Sequence, residues 1–250
     1  MAPLEFFDFN LILGRPNIPK YRFEEDPAAL KAAVDPLNIT RALVRYTQGE
    51  ESHPAAANRV LSAALEDFES FLPVWAVLPH WTGEFPPPQD LVAEMRAKRV
   101  PAAVAYPQTH GFTMRRSVVG PLLDALEEAG IILAVPQAQV PFPVAEQIAH
   151  AHAGLRLVLL EVGYRSARDL YPLMKKCQNL YVDTSTYMVH RGIEEICRLF
   201  EADRLLFGSR CPFYNPGAAV AGITYAGIDE REKRLIARGN AEALLGRGDR

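Results

Sequence analysis

Asp8 and Asn10 interrupt an otherwise apolar run, Phe6, Phe7, Phe9, Leu11, Ile12 and Leu13, and they are the first residues in the chain able to do chemistry. Such a run suits a strand covered on both faces. Polar groups in it are costly unless paired, and two residues apart they are expected on one side of the strand. The other reactive side chains also follow short apolar runs: Arg45, His80, Tyr106, His110, Gln137, Glu161, Tyr164, Ser185 and Arg210. Arginines in such a set would clamp a carboxylate or another anion. Asp8, Glu161 or His80 would supply acid–base chemistry. Cys211, next to Arg210, reads either as a thiol activated by a neighbouring cation or as an inert small residue ahead of Pro212.

The elements that must position these residues alternate along the chain. Apolar runs over residues 4–14, 39–46, 71–78, 100–106, 131–135, 155–161, 180–183 and 205–208 predict eight strands. Helical patterns separate them. Asp26 and Pro27 cap and open the first helix; a second runs from 52–54 to about 68, and Gly130 ends the one that begins near Ser117. Residues 229–245 predict a long amphipathic C-terminal helix. Eight strands alternating with helices point to the α/β class and a single (β/α)8 TIM barrel spanning 1–250. A doubly wound open sheet is the alternative, and no Gly-x-Gly-x-x-Gly follows a strand to support it. In a barrel, residues at the C-terminal strand ends share one mouth, which is where all the side chains named above would meet.

Bulk properties limit the function. The 250 residues carry a net charge of −3, so no general attraction to nucleic acid or anionic membranes is expected. No apolar run is long enough to span a bilayer, and the first residues lack the pattern of a signal peptide. Cys177, Cys197 and Cys211 form no spaced framework, so a cytoplasmic setting is expected. His150 and His152, two apart at a helix end, are expected to face solvent or the helix dipole.

Ordered motifs carry a family resemblance. Asp8-Phe-Asn10-Leu-Ile12-Leu-Gly14, Ala105-Tyr106-Pro107, the run ending Glu161-Val-Gly163, Asn179-Leu-Tyr-Val-Asp-Thr-Ser185, Gly208-Ser209-Arg210-Cys211-Pro212 and Gly239-Asn240-Ala241 follow one another at the right spacing. Together they resemble the amidohydrolase superfamily, in particular its amidohydrolase-related, decarboxylase-like branch. That resemblance implies a barrel and a divalent metal held by two His of the first strand, a His of the fifth, often a His of the sixth and an Asp of the eighth. Here those positions hold Asn10, Ile12, Gln137 or its neighbour, Glu161 and Arg210. Ile12 has no donor atom, and a guanidinium has no lone pair to offer a metal. The expectation is therefore no catalytic metal and no cofactor.

Two readings of Arg210 follow. It could stand as a fixed cation that, with Arg45, clamps a small anionic ligand at the mouth, with Asn10, Tyr106, His110, Gln137, Tyr164 and Ser185 around it. Alternatively, it simply pairs with Glu161, because either charge alone would be costly. Trp81, Tyr106, Tyr164 and Tyr187 either wall an aromatic pocket or pack the rim. The functional expectation is a hydrolase, as of a lactone or amide, or else a decarboxylase, working without metal on a small carboxylated or cyclic substrate. A catalytically silent barrel binding an anion or a protein partner is the alternative. The C-terminal helix and the Pro-rich rim at 85–88 would suit a homodimer.

Overall fold

A computed structural model describes residues 3–18 and 22–246. Residues 19–21 of the predicted polar connection, and the first two residues of the segment read for a signal peptide, lie outside the described residues. Eight parallel strands run in sequence order: β1 (Phe6–Leu13), β2 (Ile39–Tyr46), β3 (Phe71–Ala76), β4 (Ala102–Val104), β5 (Ile132–Pro136), β6 (Leu157–Leu160), β7 (Leu180–Asp183) and β8 (Leu205–Leu206). The amides of Phe9 and Ile12 donate to the carbonyls of Phe207 (2.8 Å) and Cys211 (2.9 Å), which ties β1 to the last strand and closes the barrel. The fold is a single (β/α)8 TIM barrel.

The connecting helices are α1 (Pro27–Val34), α2 (Thr47–Glu51), α3 (Pro54–Ala64), α4 (Pro88–Ala97), α5 (Arg116–Ala129), α6 (Phe142–Ala151), α7 (Ala167–Lys176), α8 (Gly192–Phe200) and α9 (Pro216–Thr224). Asp26 caps α1 by accepting from the Ala28 amide. Helix α3 ends at Ala64, shorter than the apolar pattern suggested, because Leu65, Phe68 and Phe71 are tied by turn hydrogen bonds that lead directly into β3. The short helix α2 escaped the sequence reading; five residues are too few to show a period. The expected long C-terminal helix is helical throughout but composite: α10 (Glu230–Arg234), a π-turn (Leu235–Gly239) and α11 (Asn240–Gly246). A capping box of Asp229 and Glu232 starts it.

Two apolar layers result. Phe7, Phe9, Leu43, Val74, Val104, Ile132, Val158 and Tyr181 fill the barrel interior, joined at the N-terminal end by Ala241 and Leu244 of α11. Phe6, Leu11, Leu13, Val44 and the helix faces form the outer layer. The strand β1 pairs Asp8 with Ala42 but Leu11 with Val44, so one extra residue is inserted. This bulge shifts the alternation by one. Asp8 follows the outward phase of Ala42, while both Phe9 and Asn10 meet the interior. The expectation that Asp8 and Asn10 share a side fails for this reason.

Candidate active site

The C-terminal ends of the strands gather an inner tier of polar side chains that is almost entirely buried. Asn10 of β1 and Asp183 of β7 are both 0% exposed, and Arg45 of β2 is 3% exposed. The Asn10 Oδ1 accepts from Arg45 Nε (2.9 Å) and Nη2 (2.7 Å). Its Nδ2 donates to Asp183 Oδ2 (3.0 Å) and Ser185 Oγ (3.3 Å). Arg45 Nη1 donates to Tyr106 Oη at 3.0 Å, and Nη2 donates to Glu161 Oε1. Asp183 Oδ1 accepts the Glu161 amide at 2.6 Å. Burying polar groups is tolerable only with such complete pairing. The tier also requires Gly208, since a Cβ there would stand 2.5 Å from Asp183 Oδ2.

Titration behaviour follows from this burial. Desolvation works against the charge on Arg45, but Tyr106 and Glu161 outweigh it and hold the guanidinium protonated. Burial pushes the Tyr106 phenol up to about 12, against the nearby Arg45. The Asp183 carboxyl is raised by burial, against the hydrogen bonds from Ser185, Asn10 and the Glu161 amide. Asp8 lies beside this tier, not in it. Its Oδ1 accepts the amides of Asn10 (2.9 Å) and Ser209 (3.0 Å), and Oδ2 makes no well-formed hydrogen bond. Burial pushes Asp8 up to about 6, against the Ser209 hydroxyl and those two amides.

An outer tier sits above. Arg210 Nη2 lies 2.8 Å from Glu161 Oε2, so the carboxylate of Glu161 is held between two guanidiniums. Both Glu161 (φ 59°) and Arg210 (φ 56°) adopt the left-handed backbone region, strained for residues with a Cβ. The Arg210 guanidinium stands 5.2 Å from the Tyr214 ring centroid. Its Nε is buried and has no acceptor among the described residues. Glu50 of α2 is half-buried beside the same group. Burial raises its carboxyl, with Arg45 opposing and Glu161 adding to the rise. Sequence reasoning missed Glu50 because α2 itself was missed, and it gave Asp183 no role. His110 Nε2 is 3.0 Å from the Glu50 carbonyl, and its ring titrates below the ordinary range because it is buried. Nδ1 of both His80 and His110 is buried without a partner among the described residues; His80 lies in the turn after β3, its ring centroid 4.3 Å from that of Trp81.

The remaining expected residues divide. Ser185 joins the inner tier. Gln137 opens a 3-10 turn after β5, and Gln139 of the same turn accepts the amides of Gln108 and Thr109. Tyr164 is 60% exposed and lies 5.2 Å from the Arg165 guanidinium, outside both tiers. Cys211 is buried, which pushes its thiol up to about 12, so it is the inert residue of the two readings. A cavity of about 640 Å³ has Ser185 and Ser209 on one side and Tyr187, Val189, Ile193 and Tyr214 among its walls; Arg210 does not line it, but its chain neighbour Ser209 and its ring partner Tyr214 do.

A group able to hold a metal lies away from the mouth. His152 Nδ1 is 3.1 Å from Glu127 Oε2 and 3.3 Å from Asp124 Oδ1, and these three ligand atoms lie within 4.8 Å of one another. His152 is 3% exposed, which corrects its expected place in solvent: its ring turns under α5 to meet Glu127.

The family model described as Amidohydrolase matches residues 13–247. No curated protein matches the chain. Among solved structures it is similar to an uncharacterized TIM-barrel protein of Bordetella bronchiseptica, at 17% identity and a TM-score of 0.77, over 99% of this chain and 100% of that one. It is also similar to a 5-carboxyvanillate decarboxylase of Novosphingobium aromaticivorans complexed with manganese and 4-hydroxy-3-methoxy-5-nitrobenzoic acid. That match has 14% identity and a TM-score of 0.67, over 86% of this chain and 78% of that one. A third is described as a probable 2-pyrone-4,6-dicarboxylic acid hydrolase of Acinetobacter baumannii with citric acid bound, at 13% identity and a TM-score of 0.70, over 97% and 100%. At these identities the likeness establishes the fold.

Proposed function

The chain belongs to the amidohydrolase family, and from that premise we propose that it hydrolyses a small carboxylated lactone or amide at the barrel mouth without a divalent metal, decarboxylation being the second choice. The donor set supports the metal-free reading. At the positions where the family resemblance implies ligands, Ile12 has no donor, and Asn10 Oδ1 already accepts twice from Arg45. Both oxygens of Glu161 are engaged by guanidiniums. Arg210 would repel a divalent cation at short range. These residues do not fit a metal.

The observation that carries the proposal is Arg210 Nε. It is a buried charged donor with no acceptor among the described residues, on a guanidinium already fixed by Glu161 and Tyr214. Buried donors of this kind find partners, and an anionic substrate oxygen would be one. The cavity lined by Tyr214, the ring that Arg210 stands over, would take the substrate's apolar body. Glu50, with its raised carboxyl, serves as general base. It takes a proton from water as the oxygen bonds to the substrate carbonyl. Arg210 stabilises the developing oxyanion. The carbon–oxygen or carbon–nitrogen bond then breaks, and Glu50 returns the proton to the leaving group.

The test is a panel of carboxylated lactones and amides assayed after exhaustive chelation. Turnover should survive chelation and fall about 100-fold or more in Arg210→Ala, the scale for losing one oxyanion donor. Activity abolished by chelator and restored by manganese would refute the proposal. The silent-barrel reading is favoured by the near-complete burial of Asn10, Arg45 and Asp183; carboxylates that bind but never turn over would select it.

A further inference from the structure

The opposite end of the barrel holds a concentration of positive charge that the mouth chemistry does not use. A cavity of about 710 Å³ opens among the N-terminal starts of the strands and the end of α11. Arg41, Arg96, Arg99 and Arg156 line it, with Glu242 the acidic residue among the lining side chains. This gathering of cations stands in a chain whose net charge is −3.

Three of the arginines have structural partners. Arg96 Nη2 donates to the Ala129 carbonyl at 3.3 Å, and Arg156 Nη1 donates to the Leu244 carbonyl. Arg41 stands 3.9 Å from Glu242, whose same oxygen already accepts from Arg238 at 2.7 Å.

Arg99 is different. It follows α4 with φ 55°, the left-handed position where a helix normally ends in glycine. The neighbouring α5 ends in the same way, with Gly130 at φ 65°. In each case the amide of the next residue reaches back into the last turn: Val100 to Met95 (2.8 Å) and Ile131 to Leu126 (2.9 Å). Two adjacent helices thus share one terminal motif, and both ends line this cavity. One uses the unstrained residue; the other bears the cost of a side chain there. That side chain is an exposed arginine with no carboxylate partner among the described residues. A cation there complements the helix dipole, but the Gly130 end shows that the motif itself does not require one.

We infer that this cavity is a second binding site, for a phosphate monoester with an apolar body. Several guanidinium forks around one space suit a doubly charged group with three acceptor oxygens. Val100, Pro101, Ile131 and Leu245 supply an apolar wall for the rest of the molecule. The volume is that of a small-molecule site.

The test is calorimetric titration of the full chain with phenyl phosphate, against inorganic phosphate, benzoate and sodium chloride at equal ionic strength. Phenyl phosphate should bind most tightly. Arg99→Gly should weaken it about tenfold, as expected for losing a charge-assisted contact, while raising the melting temperature by relieving the backbone. Glu242→Gln should tighten binding, and Arg210→Ala should leave it unchanged. Opposite signs in stability and affinity at Arg99 separate a ligand contact from a structural one. Three results would overturn the inference: equal binding by Arg99→Gly and wild type, loss of binding in Arg210→Ala, or a signal reproduced by sodium chloride.

Discussion

The two tiers of the mouth differ in how their polar atoms are used. In the inner tier every carboxamide and guanidinium donor of Asn10 and Arg45 named above meets an oxygen, and the residues are sealed from water. In the outer tier Arg210 Nε and His110 Nδ1 are buried without partners among the described residues, and Glu50 carries a raised carboxyl. A satisfied network holds strands in place; an unsatisfied one waits for a ligand. The difference fits the proposed division, with stability in the inner tier and chemistry in the outer one.

The largest effect should come from breaking the inner tier. Arg45→Met would leave Asn10 Oδ1 and Tyr106 Oη without their donor, at a cost of about 3–5 kcal/mol. Chemical denaturation should register it, with a melting temperature lower by about 10 °C. A loss below about 1 kcal/mol would dissolve the distinction between the tiers.

Next is the acid beside that tier. The ordinary Asp value of 3.8 rises to about 6 in the folded chain, so the native state holds more protons than the unfolded state between those values. Stability should therefore fall as pH rises from about 4 to about 6, by about 3 kcal/mol from Asp8. Asp183 is raised too and contributes in the same direction. In Asp8→Asn, whose amide can still accept from Asn10 and Ser209, denaturation midpoints across that window should show a clearly shallower slope. An unchanged slope would mean that Asp8 titrates normally.

Smaller stability changes are expected in the outer tier. Arg210→Ala leaves Glu161 its Arg45 partner and should cost about 1 kcal/mol or less, yet it should abolish carboxylate binding in a ligand titration. Glu50→Gln should be near neutral in stability and reduce turnover by about 100-fold or more; equal activity would remove Glu50 from the mechanism. Ser185→Ala, losing one 3.3 Å bond, should be the mildest change, about 0.5–1.5 kcal/mol by denaturation.

The barrel was legible because eight apolar runs, each followed by a helical period, allow few other folds. The mouth residues were legible as a set because topology alone sends strand ends to one face. Three things were hidden. The bulge in β1 separates Asp8 from Asn10, and strict alternation cannot show an inserted residue. Glu50 sits on a five-residue helix with no visible period. Arg45 could be named but not ranked: as the centre of the inner tier it joins residues 10, 106 and 161, and sequence spacing carries no trace of that long-range pairing.

The central claim is that guanidinium charge, not a metal, occupies the mouth. Anomalous diffraction from crystals grown with manganese or zinc tests it most directly, because it locates an ion as well as detecting one and so separates the mouth from the Asp124, Glu127 and His152 group. The account predicts no anomalous peak beside Glu161 and Asn10, with the Arg45–Glu161–Arg210 pairing intact. A peak there, with Arg210 swung away, would contradict it.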